Sequence, residues 1–293
     1  MSLTFTITPP KRLLRRHRPM TVGEVLILRE EDLLLPFAPE DQEQLRLWGA
    51  SLEDELVLAG SSGLSGRGLE LSFEDGAYRL RQFTPSTPVD WRIMLDLLAA
   101  LAQHLGADVV AEDGSTYTAQ TIIDLDARSD ILGGIRVMSR PDGGPTTMHG
   151  YVRPVTLSAQ TWQQIRDAED PAHAFGEAFE AVQRVDAFDA SQMSRTDPEG
   201  NAVGVYVLGE GVDTVLPRTP TVEPGLRHAL GEDAEWELVL LAGEDDPEVI
   251  GSVPYAEALS RIPAEKISEI DAASLLIEAL DAEEIRAVVG VRD

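Results

Sequence analysis

Residues 69–106 read LELSFEDGAYRLRQFTPSTPVDWRIMLDLLAALAQHLG, and the fold class turns on them. Leu69, Leu71 and Phe73 alternate with Glu70, Ser72 and Glu74, the period of a strand with one buried face. Asp75-Gly76 supplies a two-residue turn, because both central positions of a type I′ turn need positive φ. The returning run AYRLRQF then sets Phe73 opposite Tyr78 and Leu71 opposite Leu80 on an apolar face. Ser72 faces Arg79 and Glu70 faces Arg81 on the charged side. Thr87 is a natural helix N-cap, Pro88 suits the first turn, and Asp90 sits near the positive end of the helix. Trp91, Leu95, Leu98, Ala102 and Leu105 follow helical spacing, and Gly106 is a ready stop. The following ADVVAEDGSTYTA reads as a strand, an Asp113-Gly114 turn and a return strand.

This β-β-α-β-β unit predicts an α+β protein of antiparallel hairpins with helices packed on one face, in mixed sheets, rather than a doubly wound one. Working outward, residues 1–23 form a basic N-terminal segment and 24–145 an α+β domain. Residues 146–293 form a second such domain or a continuation of the first. SRPDGGPTTM, Ser139 to Met148, is the clearest break. Beyond it, His149–Leu157 reads as a strand, Ser158 caps a helix, and Asp170-Pro171 opens another that lines up Phe175, Phe179 and Val182. Residues 201–217 read as a hairpin turning at Glu210-Gly211, and residues 236–255 as another turning around Asp245 to Pro247. Helical material is expected from Pro263 to about Val289.

Composition narrows the chemistry. No run approaches the ~18 apolar residues of a membrane-spanning helix, the N-terminus lacks the pattern of a signal peptide, and there are no cysteines. A cytoplasmic protein without disulfides, thiolate nucleophiles or Cys-ligated zinc is expected. The formal net charge of −27 repels nucleic acid and anionic membrane. The exception is KRLLRRHR, Lys11 to Arg18, which holds five of the 24 basic side chains.

The glycine-rich AGSSGLSGRG, Ala59 to Gly68, poses the question of a phosphate cradle. A P-loop needs a lysine, and the chain has only Lys11 and Lys266; a strand rather than a helix follows. The stretch is read as a flexible loop leading into the hairpin, with Arg67 able to hold a carboxylate or phosphate. Metal sites are not expected: no two of the five histidines share an i, i+3 or i, i+4 spacing, and DLDARSD, Asp124 to Asp130, lacks the calcium-loop glycine and glutamate. No nucleophile elbow is present.

SGRGLELSFEDG, TPSTPVDW, LGADVVAEDGSTYT and VGVYVLGEGVDTVLP resemble a bacterial domain-of-unknown-function family, number 4299, and the likeness spans nearly the whole chain. The features that carry it are Arg67-Gly68 before the hairpin, Thr84 to Thr87 leading to Asp90-Trp91, and Gly204 to Tyr206. The resemblance implies no activity, and the basic arm departs from it.

The sequence therefore leads to a non-enzymatic binding protein with no cofactor, whose partner is a protein or a small anionic ligand and not nucleic acid or membrane. Its candidate ligand-binding residues are Arg67, Thr84, Ser86 and Trp91. The alternative is a small-molecule hydrolase using carboxylates and one histidine, His149 or His173.

Overall fold

The computed structural model describes residues 2–10, 18–29, 34–38, 41–139, 143–197, 200–231, 234–243 and 246–291. Most of the basic stretch Lys11 to Arg18, and parts of the Ser139–Met148 break and of the turn before Pro247, lie outside the described residues. The chain forms two compact units, Met1–Arg184 and Val185–Asp293.

In the first unit the strands are β1 (Ser2–Ile7), β2 (Leu34–Pro36), β3 (Val57–Ser61), β4 (Leu69–Glu74), β5 (Ala77–Phe83), β6 (Val109–Ala111) and β7 (Thr116–Tyr117), with β8 (Thr146–Met148) and β9 (Val155–Leu157) as a separate pair. The helices are α1 (Val22–Leu26), α2 (Asp41–Gly49), α3 (Pro88–Leu105), α4 (Ala127–Met138), α5 (Ala159–Asp167) and α6 (Pro171–Gln183). Seven strands make one antiparallel sheet in the order β2-β3-β4-β5-β1-β6-β7. The β4–β5 hairpin has the register that alternation dictates: Phe73 lies opposite Tyr78, Leu71 opposite Leu80, Ser72 opposite Arg79 and Glu70 opposite Arg81. Asp75 and Gly76 both take positive φ at its turn.

β1 is a central strand of this sheet. Ser2–Ile7 falls in the stretch expected as a basic segment, yet it lies between β5 and β6 and buries Phe5 and Ile7. The connection from β5 through α3 to β6 therefore passes over β1, and Phe5 meets Trp91 of α3 edge to face at 6.3 Å. The opposite face of the sheet is charged, with Arg81 bonded to Glu70 at 2.6 Å and Arg79 to Glu74 at 2.7 Å across the strands.

The α3 helix starts as its sequence asks. Thr87 accepts a hydrogen bond from Asp90 N, the Asp90 carboxylate accepts one from Thr87 N, Pro88 stands in the first turn, and Gly106 closes the helix at φ +63°. Ser158 caps α5 by accepting from Thr161 N, and Asp170 caps α6 by accepting from Ala172 N and His173 N. The expected strand over His149–Leu157 is shorter, only Val155–Leu157, because residues 151–153 bend.

The second unit holds β10 (Phe188–Asp189), β11 (Met193–Thr196), β12 (Ala202–Gly209), β13 (Thr214–Pro217), β14 (Glu235–Ala242), β15 (Glu248–Pro254), α7 (Tyr255–Arg261), β16 (Ile267–Glu269), β17 (Ser274–Ile277) and α8 (Ala282–Val289). They build two mixed sheets, β11-β12-β14-β15 and β10-β13-β17-β16, around one apolar core that includes Leu208, Leu238, Leu240, Leu216, Ile277 and Ile285. The hairpin expected at Glu210-Gly211 does not form. β12 is flanked by β11 and, in parallel, by β14, so both its edges are taken and β13 pairs instead with β10 and β17. The expected β14–β15 hairpin does form. The helical stretch expected from Pro263 shrinks to α8, because Ser274–Ile277 is an apolar run that pairs with β13, and Asp271 accepts hydrogen bonds from Ala273 N and Ser274 N to turn the chain before it. Runs of strands interrupted irregularly by helices, in antiparallel and mixed sheets, make the protein α+β.

The place of β1 sets a test. Phe5→Ala removes a fully buried ring from the middle of the large sheet, and urea denaturation should show a loss of about 3–5 kcal/mol; a loss below about 1 kcal/mol would contradict a central N-terminal strand.

Candidate functional site

The glycine loop is packed from Ser65 to Gly68, whereas Ser62, Gly63 and Leu64 at its tip are exposed. Ser65, Arg67 and the backbone between them are buried, contrary to the expectation of a flexible approach to the hairpin. The physical reason is Asp90, which is 1% exposed. Its Oδ2 accepts from Arg67 N at 2.9 Å, Thr87 N at 3.3 Å, Thr87 Oγ1 at 3.0 Å and Ser86 Oγ at 3.4 Å, and its Oδ1 accepts from Gly68 N at 3.1 Å. The carboxylate thus pins the loop to the first turn of α3. Gly66 allows the approach: a Cβ there would lie 2.4 Å from Thr87 Cγ2. Tyr151 N closes the other side on Gly66 O at 2.8 Å. Burial pushes the Asp90 carboxyl up from the usual range, and the amide and hydroxyl bonds pull it back.

The Arg67 guanidinium donates from Nε to His149 O at 2.9 Å and from Nη1 to Pro85 O at 2.7 Å. It lies over the Phe83 ring at 4.7 Å, and Arg81 lies over the same ring at 5.6 Å. The His149 ring meets Phe83 edge-on at 6.3 Å. Arg67 is 8% exposed as a residue, and its Nη2 makes no hydrogen bond among the described residues. Burial pulls its pKa down to about 10, with Arg81 adding to the fall and Asp90 opposing it. Ser86 is fully buried, taking a hydrogen bond from Gln82 Nε2 at 2.6 Å and giving its own to Asp90.

Thr84 and Trp91 belong to a different neighbourhood. Thr84 Oγ1 donates to both oxygens of Asp130 at 3.1 Å. The Trp91 indole N–H is buried and bears on the Asp130 carboxylate without reaching standard hydrogen-bond geometry. Burial raises the Asp130 carboxyl, with the Thr84 hydroxyl and the indole working against the rise. So the four residues do not converge on one point: Arg67 and Ser86 gather at Asp90, and Thr84 and Trp91 at Asp130.

Sequence reasoning missed Phe83, Arg81 and Asp130 as members of these groups, and read Asp90 only as a complement to the helix end. The Thr87–Asp90 spacing of a capping box was the available signal for Asp90. Phe83 carried none, since an aromatic at the end of a strand reads as core.

The side chains of His149 and His173 make no hydrogen bond to a carboxylate among the described residues, and His149 is held below its ordinary pKa by partial burial and Arg67. Among the described residues no three histidine, aspartate or glutamate side chains assemble as metal ligands. No helix among them is long and apolar enough to cross a membrane.

Two α+β units, the larger with its loop clamped to a helix start, define the class of the protein. The chain belongs to the family described as a domain of unknown function, DUF4299, which it matches over residues 2–288. No curated protein and no solved structure matches it.

Two outcomes test the carboxylates. Asp90→Asn turns one acceptor oxygen into a donor facing N–H groups, and chemical denaturation should show a loss of roughly 2–5 kcal/mol. The opposite outcome is expected at Asp130, whose carboxyl is raised like that of Asp90 but accepts from one hydroxyl in place of five donors. Its carboxyl binds a proton more readily folded than unfolded, so the stability it lends at acid pH is lost as pH rises through its raised pKa. Asp130→Asn keeps an acceptor for Thr84 and should raise the melting temperature at neutral pH, the gain fading towards about pH 3. A gain that persists unchanged in acid would contradict this assignment.

Proposed function

We propose that this is a cytoplasmic, non-enzymatic binding protein that takes an anionic group at the cluster of Arg67, Arg81 and His149 around Phe83. The observation that carries the reading is the Arg67 guanidinium, desolvated until its pKa falls to about 10, with Nη2 making no hydrogen bond among the described residues. In a chain of net charge −27, two arginines and a histidine on one ring are a local exception. A carboxylate or phosphate bound there gains a charge-assisted hydrogen bond and relieves the cost of burying the cation. Two carbonyl acceptors and a ring hold the fork in place before any ligand arrives, which limits the ordering cost of binding. The cysteine-free composition suits a reducing compartment. Thr84, Ser86 and Trp91 act in this reading as supports, the first and last through Asp130 and the second through Asp90.

Calorimetric titration with inorganic phosphate, citrate and an acidic hexapeptide separates a small ligand from a protein partner. Binding should weaken about fivefold or more in Arg81→Gln, whose guanidinium is exposed and whose ion pair with Glu70 adds little stability. It should tighten as pH falls and His149 gains its proton, an effect that begins below the ordinary histidine range because the His149 pKa is depressed. No binding of any of the three anions at low salt, or binding indifferent to Arg81→Gln, would dismiss this function.

A further inference from the structure

A second site lies on the other side of α3, away from the charged face of the sheet. A cleft of about 320 Å³ opens between α3, α4 and α6, walled by Pro88, Trp91, Leu95 and Ile131. Ile123, just ahead of α4, lines the same cleft and is 52% exposed, an apolar side chain that the core does not use. The polar groups in the lining are Arg92, Arg128 and Asp96. Asp96 is already engaged by Arg29. Arg128 is not fully used: Nη1 alone reaches Asp170, at 2.9 and 3.1 Å, while Nε and Nη2 make no hydrogen bond among the described residues.

We propose that this cleft binds a small amphipathic carboxylate, its hydrocarbon body against the exposed Ile123 and Pro88 over a floor of buried Trp91 and Leu95, and its carboxylate on the Arg128 fork. The volume is at the lower end for small-ligand sites, about 300–1,000 Å³, which suits a short acyl chain or a single ring rather than a nucleotide. The charge at its edge selects the head group. The lining carboxylate is already paired with an arginine, whereas two guanidinium groups line the cleft and one of them has donors to spare. A planar fork matches a carboxylate with two parallel hydrogen bonds, which an alcohol or amine cannot copy. The Arg128–Asp170 pair is exposed on both sides, so it adds little stability and gives way to a bound anion at small cost. The hydrocarbon body covers Ile123 and excludes water from the cleft, which is where the affinity of such a ligand arises. This site shares no residue with the Phe83 cluster and stands whether or not that cluster binds anions.

The test is isothermal titration of the full chain with octanoate, octan-1-ol and acetate. Octanoate should bind with a dissociation constant below about 1 mM, octan-1-ol and acetate at least about tenfold more weakly. Arg128→Gln should weaken octanoate about fivefold or more, and Ala127→Trp, which fills the cleft from α4, should abolish the binding. Arg81→Gln should leave the Arg128-dependent part of the binding unchanged, so that any octanoate taken by the Phe83 cluster is told apart from that in the cleft. Because Ala127→Trp could disturb α4, Arg128→Gln at an exposed position is the deciding variant. Absence of octanoate binding, equal binding of octan-1-ol, or indifference to Arg128→Gln would each overturn the proposal.

Discussion

A single buried carboxylate holds the larger unit in its form. Asp90 receives two amides from the glycine loop, and an amide and two hydroxyls from the start of α3. Placing an ion where it is 1% exposed costs several kcal/mol, and it is tolerated because five donors surround it and the helix end carries a partial positive charge. Without that clamp the loop has no reason to pass so near α3, and Gly66 no reason to lack a side chain. The same clamp sets the Arg67 backbone, and so decides where its guanidinium can go.

Consequences for binding follow from geometry rather than from motif. The arginine that a sequence reader would offer to a phosphate spends two of its nitrogens on backbone carbonyls and rests on Phe83. That makes it partly structural, and it also makes it rigid. Its two carbonyl acceptors and the ring fix the guanidinium in one orientation, and Nη2 makes no hydrogen bond among the described residues. Between α3, α4 and α6 a cleft remains, with Trp91 and Leu95 buried at its floor, Ile123 exposed at its mouth and arginines in its lining.

How much of this was legible depends on the range over which each feature is decided. The β4–β5 register could be read because alternation and Asp75-Gly76 are local, and a slip by one residue would expose Leu71 and Leu80. The cap at Thr87 and the stop at Gly106 could be read for the same reason. The failure at Glu210-Gly211 is the instructive contrast. Two good strands joined by a good turn should pair, but Val203 to Tyr206 are buried throughout, and such a strand accepts neighbours on both edges. Nothing within those residues says that β14 fills the second edge. At the candidate site, Arg67, Thr84, Ser86 and Trp91 were noticed because they flank the hairpin and the helix start. Their division between Asp90 and Asp130 could not be foreseen, since Asp130 lies about forty residues on in α4.

By itself the amino-acid sequence determined the α+β class, the main hairpin, the start and end of the long helix, and an acidic body without cysteine. Each of these depends on residues a few positions apart, where backbone preference and side-chain period act directly. Tertiary structure alone decided that Ser2–Ile7 is a central strand, that β12 and β13 part company, and that a capping aspartate is buried beneath a glycine loop. Those outcomes depend on which distant segments compete for the same sheet edge or the same buried donor, and that competition is settled only when the whole unit packs.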